Sequence, residues 1–222
     1  MVRGQARFPT LLIAVSAGRV YLALLVAVVL IGPAAWEANL REWLYAHTER
    51  AQFAMGDLLE LGETVAPVLI AMIVLVLFAT RHRGASFFLL AAAGGAAILS
   101  VATQAIAGLF SSDAGDFPSG QASGSAGVAT AFVLLLWDRP HRLLIVLAGI
   151  AAVGLNGFVL VATNWHGPSE VVGGWCLAVA WVTGIWIGVS RLRAARVSPA
   201  TRDELRRPRW DAGQERSLEP SA

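Results

Sequence analysis

The stretch from residue 143 to residue 190 decides the fold. It reads LLIVLAGIAAVGLNGFVLVAT (143–163), NWHGPSE (164–170) and VVGGWCLAVAWVTGIWIGVS (171–190). Two uncharged apolar runs therefore flank one short polar loop. Because about 20 apolar residues cross a bilayer as a helix, the pattern predicts two transmembrane helices. The loop between them, which carries His166 and Glu170, is expected at the membrane surface.

The composition of the whole chain indicates a membrane protein. Of its 222 residues, 56% are hydrophobic and 14% are charged, too few charges to cover a soluble domain. All 17 basic residues are arginine, which excludes lysine chemistry. The single cysteine, Cys176, excludes an intrachain disulfide, and the four histidines lack zinc-ligand spacing. No metal, cofactor or nucleic acid is predicted.

Six apolar stretches are long enough to span a membrane, or nearly so. They are residues 20–36, 64–80, 85–110, 121–137, 143–163 and 171–190. Between the first two, residues 37–61 mix apolar and charged side chains in the manner of a helix lying on a membrane surface. The sequence therefore predicts an all-α integral membrane protein with six transmembrane helices and an amphipathic helical segment between the first and second spans.

The arginines predict the orientation of these spans. They cluster before the first span, in alternate loops and after the sixth span: Arg3, Arg7, Arg19, Arg81, Arg83, Arg139, Arg142, Arg191, Arg193 and Arg196. By the positive-inside rule both termini are cytoplasmic. Residues 1–196 then form a six-span domain in the plasma (inner) membrane, and residues 197–222, polar and rich in charge, form a disordered cytoplasmic tail.

Two polar loops fall on the extracytoplasmic side in this topology. The first, Phe117-Pro118-Ser119-Gly120-Gln121, precedes a span, and Ser119 is a good N-cap whose helix start offers an anion-binding corner. The second places Glu170 four residues after His166, so that its carboxylate can orient the imidazole for attack or proton transfer. Taken singly, the first loop is better explained as an ordinary cap without a ligand, and the second as an interfacial histidine with a capping carboxylate.

Together the two loops resemble the type-2 phosphatidic acid phosphatase superfamily, over residues 37–189. Pro118-Ser119-Gly120 matches the Pro-Ser-Gly-His motif of that family, with Gln121 in place of its acid histidine. The resemblance implies that His166 is the nucleophile and that Glu170, in place of aspartate, orients it. Ser119, Gly120 and Gln121 would bind the substrate. Such enzymes dephosphorylate lipid phosphates or polyprenyl pyrophosphates without a metal.

The positively charged positions of the family motifs are not retained. They fall on Gln104, Ser111, Ser112 and Leu160. Since phosphoryl transfer depends on preorganised positive charge, we expect an impaired relative that binds a membrane lipid phosphate or polyprenyl phosphate, or that supports envelope lipid metabolism. The alternative is an active hydrolase that uses His166 in a reorganised site. The sequence identifies no protein partner.

Other arrangements remain open at this stage. Arg41 or Arg50 could supply the missing positive charge. A divalent metal would need Asp113, Asp116, His166 and Glu170 to meet. Ser123 with His166 would suggest a rhomboid-like protease, although His166 precedes its span. A transporter is disfavoured because the spans lack charged residues.

Overall fold

The computed structural model describes residues 7–195, without the side chains of residues 7–8, 58, 61–68, 113 and 193–195. The predicted tail at 197–222 lies outside these residues. Seven α-helices follow one another in the described part: α1 Arg7–Ile31, α2 Ala35–His47, α3 Gln52–Ala79, α4 Arg83–Phe110, α5 Gly120–Leu135, α6 Arg142–Ala162 and α7 Pro168–Ala195. Single 3-10 turns occur at Glu49–Ala51 and Ser112–Ala114. The predicted all-α class is confirmed.

Four of these helices are long and apolar enough to cross a membrane. The apolar segments are Pro9–Ile31, Arg83–Phe110, Arg142–Ala162 and Pro168–Leu192. The other two predicted spans fall on α3, where the apolar segment Leu69–Ala79 is shorter, and on α5, which has 16 residues. The chain is thus a helical protein with several potential membrane-crossing helices.

The predicted boundary of the first span was wrong. Residues 20–36 were expected to form it, but α1 already runs from Arg7 to Ile31. Gly32 then takes a φ of +83° and donates its N–H to Val28 O at 3.0 Å. This conformation favours glycine and ends the helix. Trp36 consequently belongs to α2.

Helix α2 is the helix expected between the first two spans. Trp36, Trp43 and Tyr45 on it are at least half exposed, as suits aromatic side chains at a membrane interface. Leu44 packs against the cluster of buried side chains that includes Leu160. Glu37, however, is buried, so a carboxylate also faces the interior.

Helix α7 makes close contacts with the neighbouring helices and with the loop before α5. By its contacts the chain divides into one unit up to Ile187 and a second from Gly188, of which residues 188–195 are described as the end of α7. Within the first unit, Trp181 Nε1 donates to Ala91 O of α4 at 2.9 Å. A Cβ on Gly174 would lie 2.7 Å from Ser119 O. The absence of a side chain at Gly174 therefore brings the loop before α5 against α7.

Candidate functional site

The two polar loops meet in the structure. Ser119 N–H donates to Glu170 O at 3.0 Å. Gly173 lies against the Phe117 ring, and Gly174 against the Ser119 carbonyl. Two segments about 50 residues apart in the chain are therefore joined directly by their backbones. We call the residues Pro118–Gln121 the α5 start, the residues Gly167–Glu170 the α7 start, and the α7 start with His166 the His166 site.

His166 and Glu170 form the pair that their spacing predicts. His166 Nδ1 lies 2.7 Å from Glu170 Oε2, and the two side chains are 17% and 16% exposed. The same oxygen accepts the Gly167 N–H at 3.1 Å. Since an ionised carboxylate only accepts hydrogen bonds, this contact suits the tautomer of His166 that carries a proton on Nδ1. The imidazole is thereby oriented as a nucleophilic histidine needs to be.

A second carboxylate, from Glu37 of α2, lies at the α7 start. Glu37 Oε2 accepts the Ser169 N–H at 3.0 Å and the Ser169 hydroxyl at 2.8 Å. The Glu37 side chain is only 5% exposed. The sequence pattern did not indicate this residue, which is one of several charged residues in the amphipathic segment 37–61. Its partner is 132 residues away in the chain, so no local spacing indicates the contact.

The first turn of α7 explains why it attracts a carboxylate. Pro168 has no N–H, and the Val171 N–H donates to Gly167 O at 3.1 Å. The Ser169 N–H, like others in a first helical turn, has no intrahelical acceptor. The partial positive charge of the helix N-terminus favours an anion at this position. Glu37 supplies that anion.

The α5 start is closed by uncharged groups. The Ser119 hydroxyl accepts the Ala122 N–H at 3.3 Å, as predicted for an N-cap, and the Ser119 side chain is fully buried. The carbonyl of Pro118 accepts two side-chain donors, Ser100 Oγ at 3.0 Å and Gln104 Nε2 at 2.8 Å. Gln104, at the position of the family's lysine, therefore binds the protein backbone.

The other residues implied by the resemblance have less distinctive surroundings. Gly120 is the first residue of α5, and Gln121, the second, is partly buried with its Oε1 atom out of contact with solvent. Because an amide does not titrate, Gln121 cannot replace an acid histidine. Leu160, at the position of the family's arginine, is fully buried and packs with Leu59 and Val171.

Among the described residues, no arginine donates to the Glu170 carboxylate of the His166 site or to the Glu37 carboxylate beside it. The donors to these two carboxylates are backbone N–H groups, the Ser169 hydroxyl and the His166 imidazole. Arg50 is exposed, whereas Arg41 is partly buried and its Nε has no hydrogen-bond partner in the described part of the chain. Arg41 lies four residues after Glu37, on the same face of α2.

Two alternative sites were a divalent-metal site and a Ser123–His166 pair. Among the side chains that the structure describes, no group of three or more His, Cys, Asp or Glu residues could hold a metal ion. Asp113, a member of the metal hypothesis, lies outside the described side chains. The Ser123 hydroxyl is buried and donates to Ser119 O at 2.8 Å within α5. The acceptor of the Ser123 hydroxyl is therefore the carbonyl of the α5 N-cap residue.

The comparisons with known proteins add no family to these observations. The chain matches no protein-family model, no curated protein and no solved structure. Any kinship with lipid phosphatases therefore depends on the residues of the two loops and on their arrangement.

Proposed function

We propose that this chain is a six-span protein of the plasma membrane related to lipid phosphatases, and that it recognises a lipid phosphate or polyprenyl phosphate with little or no turnover. The four long apolar helices support the membrane setting, and α3 and α5 would supply the other two spans. The distribution of arginines supports cytoplasmic termini and an extracytoplasmic His166 site.

One observation carries the proposal: the His166–Glu170 pair is joined to the α5 start. The imidazole and carboxylate are 2.7 Å apart, and the Glu170 carbonyl accepts the Ser119 N–H. In the resembling family, a histidine oriented by a carboxylate stands beside such a helix start. The same relation here favours a shared origin over two unrelated helix caps.

The surroundings of this pair support impaired catalysis. A well-placed arginine accelerates phosphoryl transfer by about 10³–10⁵-fold, and a general acid contributes about 10²–10⁴-fold. Gln121 supplies no acid, and Glu37 adds negative charge where an incoming phosphate would be repelled. Binding of a lipid headgroup requires neither of these accelerations, so it is the function that this site supports best.

The test is phosphate release by the full-length protein in nanodiscs. Phosphatidic acid and undecaprenyl pyrophosphate would be offered separately, with His166→Ala as the matched control and an active lipid phosphatase as the assay standard. We expect wild type and His166→Ala to release phosphate equally slowly. Release that depends on His166 would refute impaired catalysis and establish the alternative, an active hydrolase, which the intact His166–Glu170 pair favours.

Binding is tested separately from turnover. Wild-type protein in nanodiscs of phosphatidylcholine would be titrated with phosphatidic acid and, for comparison, with diacylglycerol, which has the same chains but no phosphate. We expect saturable association of phosphatidic acid only. Equal association of both lipids would show that the phosphate is not recognised.

A further inference from the structure

Glu37 connects two elements that the chain separates by 132 residues. It is the third residue of α2, is only 5% exposed, and contacts the α7 start with its carboxylate. Burying a carboxylate is costly unless hydrogen bonds replace its hydration. Here two donors of Ser169 bind the same oxygen, at 3.0 and 2.8 Å. Such a contact holds α2 on α7 through charge-assisted hydrogen bonds.

The Glu37 carboxylate also occupies space beside the His166–Glu170 pair. A Cβ on Gly167 would lie 3.1 Å from Glu37 Oε2 and 3.4 Å from Glu170 Oε1. Two carboxylates therefore flank Gly167, the residue that follows His166. A phosphate that approached His166 along the α7 start would meet both negative charges. It would also compete with Glu37 for the Ser169 donors.

We propose that Glu37 is an internal anion that competes with phosphate for the Ser169 donors of the His166 site, weakens phosphate binding there, and holds α2 against the α7 start. The proposal rests on the function inferred above, because it treats the His166 site as the ligand site. Its consequence is that a phosphate monoester binds more tightly at the α7 start when the Glu37 carboxylate is withdrawn. Both a free phosphate ion and a lipid headgroup have this chemistry.

Arg41, also on α2, affects the same competition between the Glu37 carboxylate and phosphate. It follows Glu37 by one helical turn on the same face, and its Nε has no hydrogen-bond partner among the described residues. While Glu37 is present, the two side chains give this face no net charge. Removal of the Glu37 carboxylate leaves this face of α2 with the positive charge of the Arg41 guanidinium. Arg41 is therefore the cation that would favour phosphate once Glu37 is replaced.

The binding test compares wild type with Glu37→Ala and Glu37→Gln in phosphatidylcholine nanodiscs. Radiolabelled inorganic phosphate and, separately, phosphatidic acid are the probes. The matched control is Glu42→Ala, which removes an exposed carboxylate from the same helix. We expect Glu37→Ala to raise phosphate affinity about tenfold, since one close like-charge repulsion of about 1.4 kcal/mol is removed. Glu37→Gln, which keeps an acceptor for Ser169, should give a smaller gain.

The two probes distinguish a free phosphate ion from a lipid headgroup as the ligand. A gain with both probes identifies any phosphate monoester as the ligand, and a gain with phosphatidic acid alone identifies a lipid headgroup; either supports the proposal. Adding Arg41→Ala to Glu37→Ala should cancel the gain. Equal affinity of wild type and both Glu37 variants for both probes would overturn the proposal. An equal gain in Glu42→Ala would also overturn it.

Hydrogen exchange tests the contact between α2 and α7 independently of any ligand. In Glu37→Ala we expect faster amide exchange in both α2 and residues 167–172, with Glu42→Ala unchanged. If Glu37→Ala does not fold, Glu37→Gln provides the same comparison with a smaller increase. Exchange as slow as in wild type would refute the contact's role in holding α2. Phosphate release that depends on His166 would refute impaired catalysis but leave this result standing.

Discussion

The α5 start and the α7 start are alike in sequence and opposite in electrostatics. Each is a short polar turn with a proline and a serine that opens a helix. At the α5 start the serine caps its own helix, and neutral donors bind the Pro118 carbonyl. At the α7 start the serine donates to a carboxylate from another helix. A helix start therefore attracts an anion where its own residues leave backbone N–H donors of the first turn uncapped.

This difference separates stability from ligand binding. The α5 start, with its polar groups bound inside the protein, should respond to substitution mainly through the free energy of unfolding. The α7 start, where Glu37 can be displaced by another anion, should respond mainly through phosphate affinity. Three sets of substitutions test this division, in order of decreasing expected effect on stability.

Gly174→Ala should have the largest effect, because it forces the two helix starts apart. The added Cβ would lie 2.7 Å from Ser119 O and 3.0 Å from Ser123 N, and both are backbone atoms that cannot rotate away. Overpacking of this kind costs about 3 kcal/mol. Unfolding in a detergent titration, followed by circular dichroism, measures the cost.

The matched control for this substitution is Gly184→Ala in the same helix. A Cβ at Gly184 would meet nothing within 4 Å, so the better helix propensity of alanine should stabilise the protein by up to about 1 kcal/mol. Equal effects at Gly174 and Gly184 would show that the approach of the α5 start to α7 is not tight.

Combined loss of Ser100 and Gln104 side-chain donors should have the next largest effect. Each of Ser100→Ala and Gln104→Leu leaves the buried Pro118 carbonyl one donor, so each should cost about 0.5 kcal/mol. The double variant leaves that carbonyl without either donor and should cost about 2 kcal/mol. The same unfolding titration gives all three values, and strict additivity would argue against a shared acceptor.

Ser119→Ala should have a smaller effect on stability than the double variant and none on phosphate affinity. Loss of an N-cap costs about 1 kcal/mol. Since the Ser119 hydroxyl already accepts the Ala122 N–H, phosphate binding in the Glu37→Ala background should be unchanged. Phosphate titration of Glu37→Ala with and without Ser119→Ala makes the measurement. A lower affinity would instead support the substrate-binding role that the resemblance implies for Ser119.

Local patterns predicted much of the fold and part of the site. Apolar runs located the long helices, and the serine after Pro118 located the cap of α5, because both depend on neighbouring residues only. The four-residue spacing of His166 and Glu170 likewise predicted their hydrogen bond. The end of α1 was missed because residues 33–36 continue the apolar composition, although Gly32 had already turned the chain.

The role of Glu37 could not be predicted in the same way. On an amphipathic segment, charged residues are expected to face solvent, and the aromatic side chains of α2 fit a membrane interface. The inward position of Glu37 depends on the free Ser169 donors of a distant helix. A sequence pattern does not indicate which helix start lies beside which helix.

The sequence by itself determined that the chain is helical, that several of its helices are long and apolar enough to cross a membrane, and that its polar residues gather in short loops between apolar runs. This follows because burial of apolar side chains in lipid and the closing of backbone hydrogen bonds within helices are local requirements. Only the tertiary structure decided that the two loops meet, that neutral groups close the α5 start, and that Glu37 lies at the α7 start. Those contacts join residues that lie 14 to 132 positions apart in the chain. They depend on how helices pack, because small residues permit close approach and buried donors require partners.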